Sequence, residues 1–165
     1  MGNIIFIGMP ASGKSTVGVV VAKRLGYEFI DADLLIQKRE GRLLKDIIAE
    51  EGVERFLEIE NEVNAQIDVD GAVIAPGGSV VYCTEAMEHY KKTGTIVYLK
   101  ASYETIKNRI RNPKKRGVTL RAGQTLRDLY VERTQLFEKY ADITVEEDDN
   151  SLGDTVEKVL DVLQN

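Results

Sequence analysis

The sequence predicts a doubly wound α/β domain, with one parallel sheet covered by helices on both faces. Three observations carry this. Short apolar, β-branched runs alternate with stretches of helical periodicity along the whole chain. The first run, Ile-Ile-Phe-Ile at residues 4–7, leads directly into Gly-Met-Pro-Ala-Ser-Gly-Lys-Ser at residues 8–15. That octet fits the phosphate-loop pattern G-x-x-x-x-G-K-[ST] in the strand, loop and helix context it requires. Finally, the chain has 165 residues and is 43% hydrophobic, an ordinary size and composition for a single globular domain.

Each element has its own reason. After the loop, Val17, Val20, Val21 and Leu25 recur at helical spacing and Gly26 marks the stop. Residues 27–30 form a short strand running into Asp31-Ala-Asp33, and Leu34, Leu35 and Ile36 open a helix that ends near Gly41. Leu44, Ile47 and Ile48 mark another, broken by Gly52, and Phe56, Leu57, Val63 and Ile67 a longer one. The third strand, residues 71–75, is closed by Pro76-Gly77-Gly78. A helix around Met87 and Tyr90 precedes the fourth strand at 95–99, and residues 102–111 read as helix. Residues 112–117 are basic and turn-rich, without periodicity. Leu126, Leu129, Leu136, Phe137 and Tyr140 share a helix face, residues 142–145 are the fifth strand, and Leu152, Val156, Val159 and Leu163 mark a terminal helix. With no repeat or linker, one domain over residues 1–165 is expected.

Composition narrows the function classes. The net charge of −5 argues against a nucleic-acid partner. Cys83 is the only cysteine, which excludes an internal disulfide and suits a reducing cytoplasm. No apolar stretch approaches 18 residues, so no membrane span or signal segment is expected.

The loop carries the chemistry. Gly8 and Gly13 let the backbone curl so that successive N–H groups, across Ala11, Ser12, Gly13 and Thr16, face phosphate oxygens. The helix behind them presents its positive dipole end to the same anion. Lys14 should reach the β- and γ-phosphates, and Ser15 offers a hydroxyl to Mg²⁺. In such sheets ligands gather at the carboxyl ends of the strands. Among those ends, only the second carries a compact acid pair. Asp31 is the candidate for Mg²⁺, and Asp33 the candidate to accept the proton of an attacking hydroxyl. The alternative for Asp33 is a helix N-cap. Glu146, Glu147 and Asp148 read as a solvated acidic turn. Arg109, Arg111, Lys114, Lys115 and Arg116 flank an aperiodic gap that suits a mobile lid, with Arg116 best placed to neutralise a transferring phosphoryl group.

Two charges fall on apolar helix faces, Glu60 and Arg133. Either they pair across the core or they line a substrate pocket, where Arg133 could grip a carboxylate bidentately. Met9 and Met87 read as core filling, and His89 receives no role.

With these pieces in order, the chain resembles the shikimate kinases over nearly its whole length. The shared motifs are the phosphate loop, Asp31-Ala-Asp33, Phe56 and Glu60 behind Glu51-Gly52, Gly77-Gly78, Arg116, and Arg133-Thr-Gln-Leu-Phe137 with Ala141-Asp142. The resemblance implies a P-loop kinase fold of three α/β/α layers with a five-stranded parallel sheet ordered 2-3-1-4-5. It implies a lid at about residues 112–124 and a substrate-binding helical region at about 33–67. It implies ATP with Mg²⁺, and phosphorylation of a small polyol acid, shikimate to shikimate 3-phosphate. By the same resemblance Asp33 is the base, Arg116 the lid arginine, Arg109 the residue stacked on adenine, and Asp33, Glu60, Gly77, Gly78, Ser79 and Arg133 the acceptor site. A monomer is expected, acting on a small molecule.

Departures from the family pattern concentrate on the acceptor side. The arginine of F-R-x-x-E is Leu57, the third glycine of the triplet is Ser79, the residue before the pair is Pro76, and the lid reads Arg116-Gly-Val. A charge-assisted hydrogen bond is worth about 1.5–3 kcal/mol, so its loss should weaken carboxylate binding roughly 10- to 150-fold. A negative Glu60 without that arginine would further disfavour an anion. Three readings follow: a shikimate kinase holding the carboxylate with Arg133 or another cation, a kinase for a different small hydroxyl compound, or a non-catalytic ATP-binding domain.

Overall fold

The computed structural model describes residues 2–110 and 118–165. Arg111, Lys114, Lys115 and Arg116, singled out from the sequence, lie outside the described residues. The five strands are β1 (Asn3–Ile7), β2 (Glu28–Asp31), β3 (Ala72–Ala75), β4 (Gly94–Lys100) and β5 (Ile143–Glu146). They form one parallel sheet in the order β2-β3-β1-β4-β5, as the resemblance implies. Around it lie α1 (Lys14–Leu25), α2 (Ala32–Glu40), α3 (Leu44–Glu51), α4 (Val53–Ala65), α5 (Thr84–Thr93), α6 (Tyr103–Arg109), α7 (Leu126–Tyr140) and α8 (Leu152–Gln164).

Strand alternation sorts the core into two layers. Ile5, Ile7, Ile74, Ile96 and Tyr98 pack with α5 and α7 residues such as Tyr90, Leu129 and Phe137. Ile4, Phe6, Val73, Val97 and Leu99 pack on the other face with Val17, Val21, Val156 and Val159 of α1 and α8. A third cluster, Ile36, Ile47, Phe56, Ile59 and Val63, ties α2, α3 and α4 together. Met9 and Met87 are buried, as expected. No helix among the described residues is long and apolar enough to cross a membrane.

The register positions the site. β1 pairs with both β3 and β4, with Ile5 opposite Ile74 and Ile96. The loop after β1 therefore emerges beside the Pro76-Gly77-Gly78 segment after β3. Three details differ from the sequence reading. Helix α2 starts at Ala32 because Asp31, not Asp33, is its N-cap, accepting the N–H groups of Asp33 and Leu34. Helix α6 is shorter than 102–111, since Ile110 adopts an extended conformation that ends it. A 3-10 turn at Val80–Tyr82, not foreseen, links the glycine pair to α5.

Candidate active site

The phosphate loop is shaped to leave its donors open. Gly13, at φ 89°, is the N-cap of α1 and supplies no side chain to it, and the first turn holds no acid. Ala11 is also left-handed, at φ 66°. The first-turn N–H groups are thus taken by no side-chain cap and have the helix dipole behind them, an arrangement suited to phosphate. Lys14 is only 8% exposed, and its Nζ donates to the carbonyls of Gly8 (2.9 Å) and Met9 (2.8 Å). Those bonds pin the ammonium at the loop rather than letting it sweep through solvent. Ser15 and Thr16 are exposed and line the adjoining cavity.

That cavity, of about 240 Å³, runs from the loop to the glycine pair and is walled by α2, α4 and α7 residues. It collects Lys14, Asp33, Glu60, Gly77, Gly78, Ser79 and Arg133 in one place. Asp31 is not on its wall. Its Oδ1 accepts from the backbone N–H of Asp33 at 3.0 Å and of Leu34 at 3.3 Å, so part of the D-x-D is spent on starting the helix. Asp33 Oδ1 is buried and has no hydrogen-bond partner. Burial pushes its carboxyl up to about 6, with neighbouring Asp31 adding and Lys14 opposing.

Glu60 is 0% exposed. Ser79 Oγ donates to its Oε1 at 2.6 Å, and Oε2 is left without a partner. Burial, then the Asp33 charge, raises this carboxyl to about 8, against the pull of Ser79, Arg133 and Lys14. A group near 8 is mostly neutral at pH 7. Repulsion of an anion by a charged Glu60, anticipated from the sequence, is therefore largely removed.

Arg133 is 1% exposed, a charge on an otherwise apolar face. Its Nη2 donates to Thr119 at both the carbonyl (3.2 Å) and Oγ1 (2.8 Å), and its guanidinium carbon lies 5.3 Å from the Tyr82 ring centroid. Its Nε has no partner, and burial lowers its pKa. Among the described residues no ion pair joins Glu60 to Arg133. The pairing alternative does not hold; both side chains line the cavity.

Gly77 and Gly78 act by absence. A Cβ on Gly77 would lie 2.7 Å from Asp33 Oδ1 and 3.0 Å from Glu60 Oε2. One on Gly78 would lie 3.1 Å from Arg133 Nη1. The floor of the cavity is thus bare backbone with two carboxyls over one residue and the guanidinium over the next. Leu57, by contrast, packs half-buried against the α2–α4 cluster and does not line the cavity, whose apolar wall includes Leu44, Phe56 and Val118.

A second cavity, of about 380 Å³, lies across the loop and is lined by Ala11, Gly13, Thr16, Arg109, Glu147 and Asn150. Arg109 Nη1 donates to the Ala11 carbonyl at 2.9 Å and meets Glu147 Oε1 at 3.4 Å. Glu147 corrects the sequence reading: it is 6% exposed, not part of a solvated turn. Its N–H bonds the Lys100 carbonyl at 2.9 Å, carrying the β4–β5 ladder one residue further. Alternation then turns Val145 in, Glu146 out and Glu147 in. That period of two, continued past the strand, was the available signal. Asp148 is also engaged, accepting from Ser102 N and Thr105 Oγ1. His89 meets the Ile67 carbonyl at 2.6 Å, away from either cavity.

No group of three or more His, Cys, Asp or Glu suited to a metal ion occurs among the described residues. The oxygens of Ser15 and Asp31 are hard donors of the kind that Mg²⁺ takes, though Asp31 Oδ1 is engaged by the N–H groups of Asp33 and Leu34.

Comparison with known proteins agrees with this geometry. Residues 10–164 match the family described as shikimate kinase. The chain is 36% identical to the shikimate kinase of Symbiobacterium thermophilum, over 98% of this chain and 96% of that one. It is 32% identical to that of Sulfurihydrogenibium sp., over 97% and 96%. The structure of shikimate kinase from Acinetobacter baumannii in complex with shikimate superimposes with a TM-score of 0.86 at 28% identity, covering 99% of this chain and 93% of that one. A phosphate loop opening onto a cavity that holds Asp33 and Arg133, in a sheet of this order, thus accompanies a full-length family match, and the chain belongs to the shikimate kinase family.

Proposed function

We propose that the protein transfers the γ-phosphoryl group of ATP to a hydroxyl of a small polyol acid, shikimate, giving shikimate 3-phosphate. The observation that carries this is Asp33 Oδ1, buried and unpartnered in the same cavity as Lys14 and Arg133. The acceptor hydroxyl gives its proton to Asp33 as its oxygen bonds to the γ-phosphorus and the bond to ADP breaks. Lys14 neutralises charge on the phosphoryl oxygens as it moves. Arg133, with its free Nε, holds the acceptor carboxylate. Ser15 and Asp31 would hold Mg²⁺, which supplies charge neutralisation to the phosphates when bound. Ala11, Ser12, Gly13 and Thr16 receive the phosphates, Arg109 lies along the nucleotide, and Arg116 serves as the lid arginine. A cytoplasmic monomer without nucleic-acid or membrane partners is part of the same reading; the net charge of −5 speaks against nucleic acid, and the single, buried Cys83 suits a reducing compartment.

A different small hydroxyl acceptor is the second reading. It is favoured by Leu57 and by the apolar wall of Leu44, Phe56 and Val118. Coupled ADP release over a panel of polyols and polyol acids, with shikimate included, separates the two. Lys14→Ala should abolish turnover with every acceptor, a loss of at least 100-fold for one transition-state donor. Undiminished turnover in that variant would overturn the role given to Lys14, and no turnover by the wild type with any acceptor would leave a non-catalytic ATP-binding domain as the better description.

A further inference from the structure

We infer that Tyr82 positions Arg133 for the acceptor: its ring holds the buried guanidinium without neutralising it, so that the positive charge is kept for a carboxylate. This rests on the phosphotransfer reading above and adds to it a residue that is not on the cavity wall. Desolvating a cation costs on the order of several kcal/mol, which a buried arginine ordinarily recovers from a carboxylate partner. Arg133 is 1% exposed, yet no ion pair of it occurs among the described residues. Glu60 and Glu132 act on it only from a distance, and Glu60 is mostly neutral at pH 7. The side chains that hold it are uncharged, Thr119 and Tyr82.

The Tyr82 ring carries two guanidinium groups, and they are treated differently. The central carbons of Arg121 and Arg133 each lie 5.3 Å from its centroid. Arg121 also meets two carboxylates, with Nε 3.2 Å from Glu54 Oε1 and Nη1 3.9 Å from Glu132 Oε1. Arg133 meets none. The Tyr82 hydroxyl donates to Glu132 Oε1 at 2.5 Å, which fixes the ring and engages the carboxylate next to Arg133 in the chain. An aromatic face attracts a cation through its quadrupole but leaves the net charge in place. The same segment also makes the space. The 3-10 turn that ends at Tyr82 follows Gly78, whose Cβ would stand 3.1 Å from Arg133 Nη1. One short stretch thus gives the guanidinium both room and a face. Thr119 takes Nη2, and Nε stays without a partner.

The test compares shikimate with its carboxamide, by coupled ADP release, in wild type, Tyr82→Leu and Tyr82→Phe. Tyr82→Leu should raise the KM for shikimate about tenfold, the worth of one desolvated cation–π contact. Its kcat and its KM for ATP should stay within about twofold of wild type, the pattern of lost binding without lost chemistry. Tyr82→Phe, which keeps the ring, should keep the KM for shikimate. The KM for the carboxamide should not respond to either change, because that compound brings no charge to Arg133. A rise shared by acid and amide, or a Tyr82→Phe that matches Tyr82→Leu, would overturn the inference. A second measurement needs no turnover. The Arg133 side-chain N–H signal, recognised by its absence in Arg133→Lys, should show a dipolar cross-peak to the Tyr82 ring in wild type. It should exchange with water faster in Tyr82→Leu than in wild type or Tyr82→Phe. A missing cross-peak, or equal exchange in all three, would overturn the positioning role. Turnover of neither compound by wild type would overturn the shikimate reading, and the exchange measurement would still decide the role of Tyr82.

Discussion

Asp31 accepts the backbone N–H of Asp33 on its Oδ1 at 3.0 Å, so one aspartate of the pair fixes the start of the helix on which the other is presented. The cap holds Asp33 at the cavity in a defined direction, and its negative charge helps to keep the Asp33 carboxyl near 6. Under the proposed function, positioning falls to one aspartate and proton transfer to the other.

The division predicts different variants. Asp33→Asn should reduce kcat by about 10²- to 10⁴-fold, the usual worth of a general base, with KM for ATP nearly unchanged. Because only the ionised carboxylate accepts a proton, kcat/KM of the wild type should fall as pH drops through about 6. Asp31→Asn should shift the Mg²⁺ dependence instead. Steady-state kinetics across Mg²⁺ concentration and pH, with the roles found exchanged, would refute the assignment.

Gly77→Ala should damage the acceptor side alone. Its methyl would press on Asp33 Oδ1 at 2.7 Å and Glu60 Oε2 at 3.0 Å, forcing one carboxyl aside. A displacement near 1 Å at reacting groups costs about 100-fold in rate. We expect that loss in kcat/KM for the acceptor, with nucleotide affinity by calorimetry intact. Loss of nucleotide binding would show that the segment supports the loop rather than the carboxyls.

Glu60 should set a pH dependence of stability. Its folded pKa is raised from 4.5 to about 8, so the protein holds this proton more tightly when folded. The contribution is full below the unfolded value near 4.5 and is lost as pH climbs through about 8. At the alkaline end the charged form costs on the order of a few kcal/mol. Glu60→Gln should therefore melt several degrees higher than wild type at pH 9 and close to it at pH 5. Equal melting temperatures at pH 9 would mean that Glu60 titrates normally.

Leu57→Arg tests the altered acceptor side. Residue 57 is half-buried beside the cavity and not on its wall. A long guanidinium can extend along α4 toward Glu60, one turn on, and reach the acceptor. The KM for shikimate should drop about tenfold, the worth of one charge-assisted bond. An unchanged KM would show that Arg133 already suffices.

Much of this was legible in the sequence because the strongest signals are local. The central strands β1, β3 and β4 are apolar runs buried on both faces, the edge strands β2 and β5 are short and half-exposed, and each appears within a residue or two of its expected bounds. The phosphate loop, the aspartate pair and the misplaced charges Glu60 and Arg133 were visible as motif and as broken periodicity. What was not legible depended on the partner each side chain finds in space. Glu147 looked solvated because its neighbours are acidic, yet the extended ladder turns it inward. Glu60 and Arg133 had equal claims to each other and to a ligand until Ser79 and Thr119 were seen to hold them apart. Leu57 occupies a matched motif position, but its local packing directs it to the helical cluster.

The bond from Arg133 to Thr119 ties the proposed acceptor pocket to the backbone at 118–119. A carboxylate arriving at the guanidinium competes with, or reinforces, the hold on Thr119 Oγ1, and so changes the free energy of the backbone at 118–119. Val118 and Thr119 face the same cavity as Lys14 and the loop. Whatever factor the acceptor imposes on nucleotide affinity through that peptide, the nucleotide must impose on the acceptor. Thr119→Val, which removes the Oγ1 that Arg133 holds but keeps the carbonyl contact, would weaken any such factor in both directions equally.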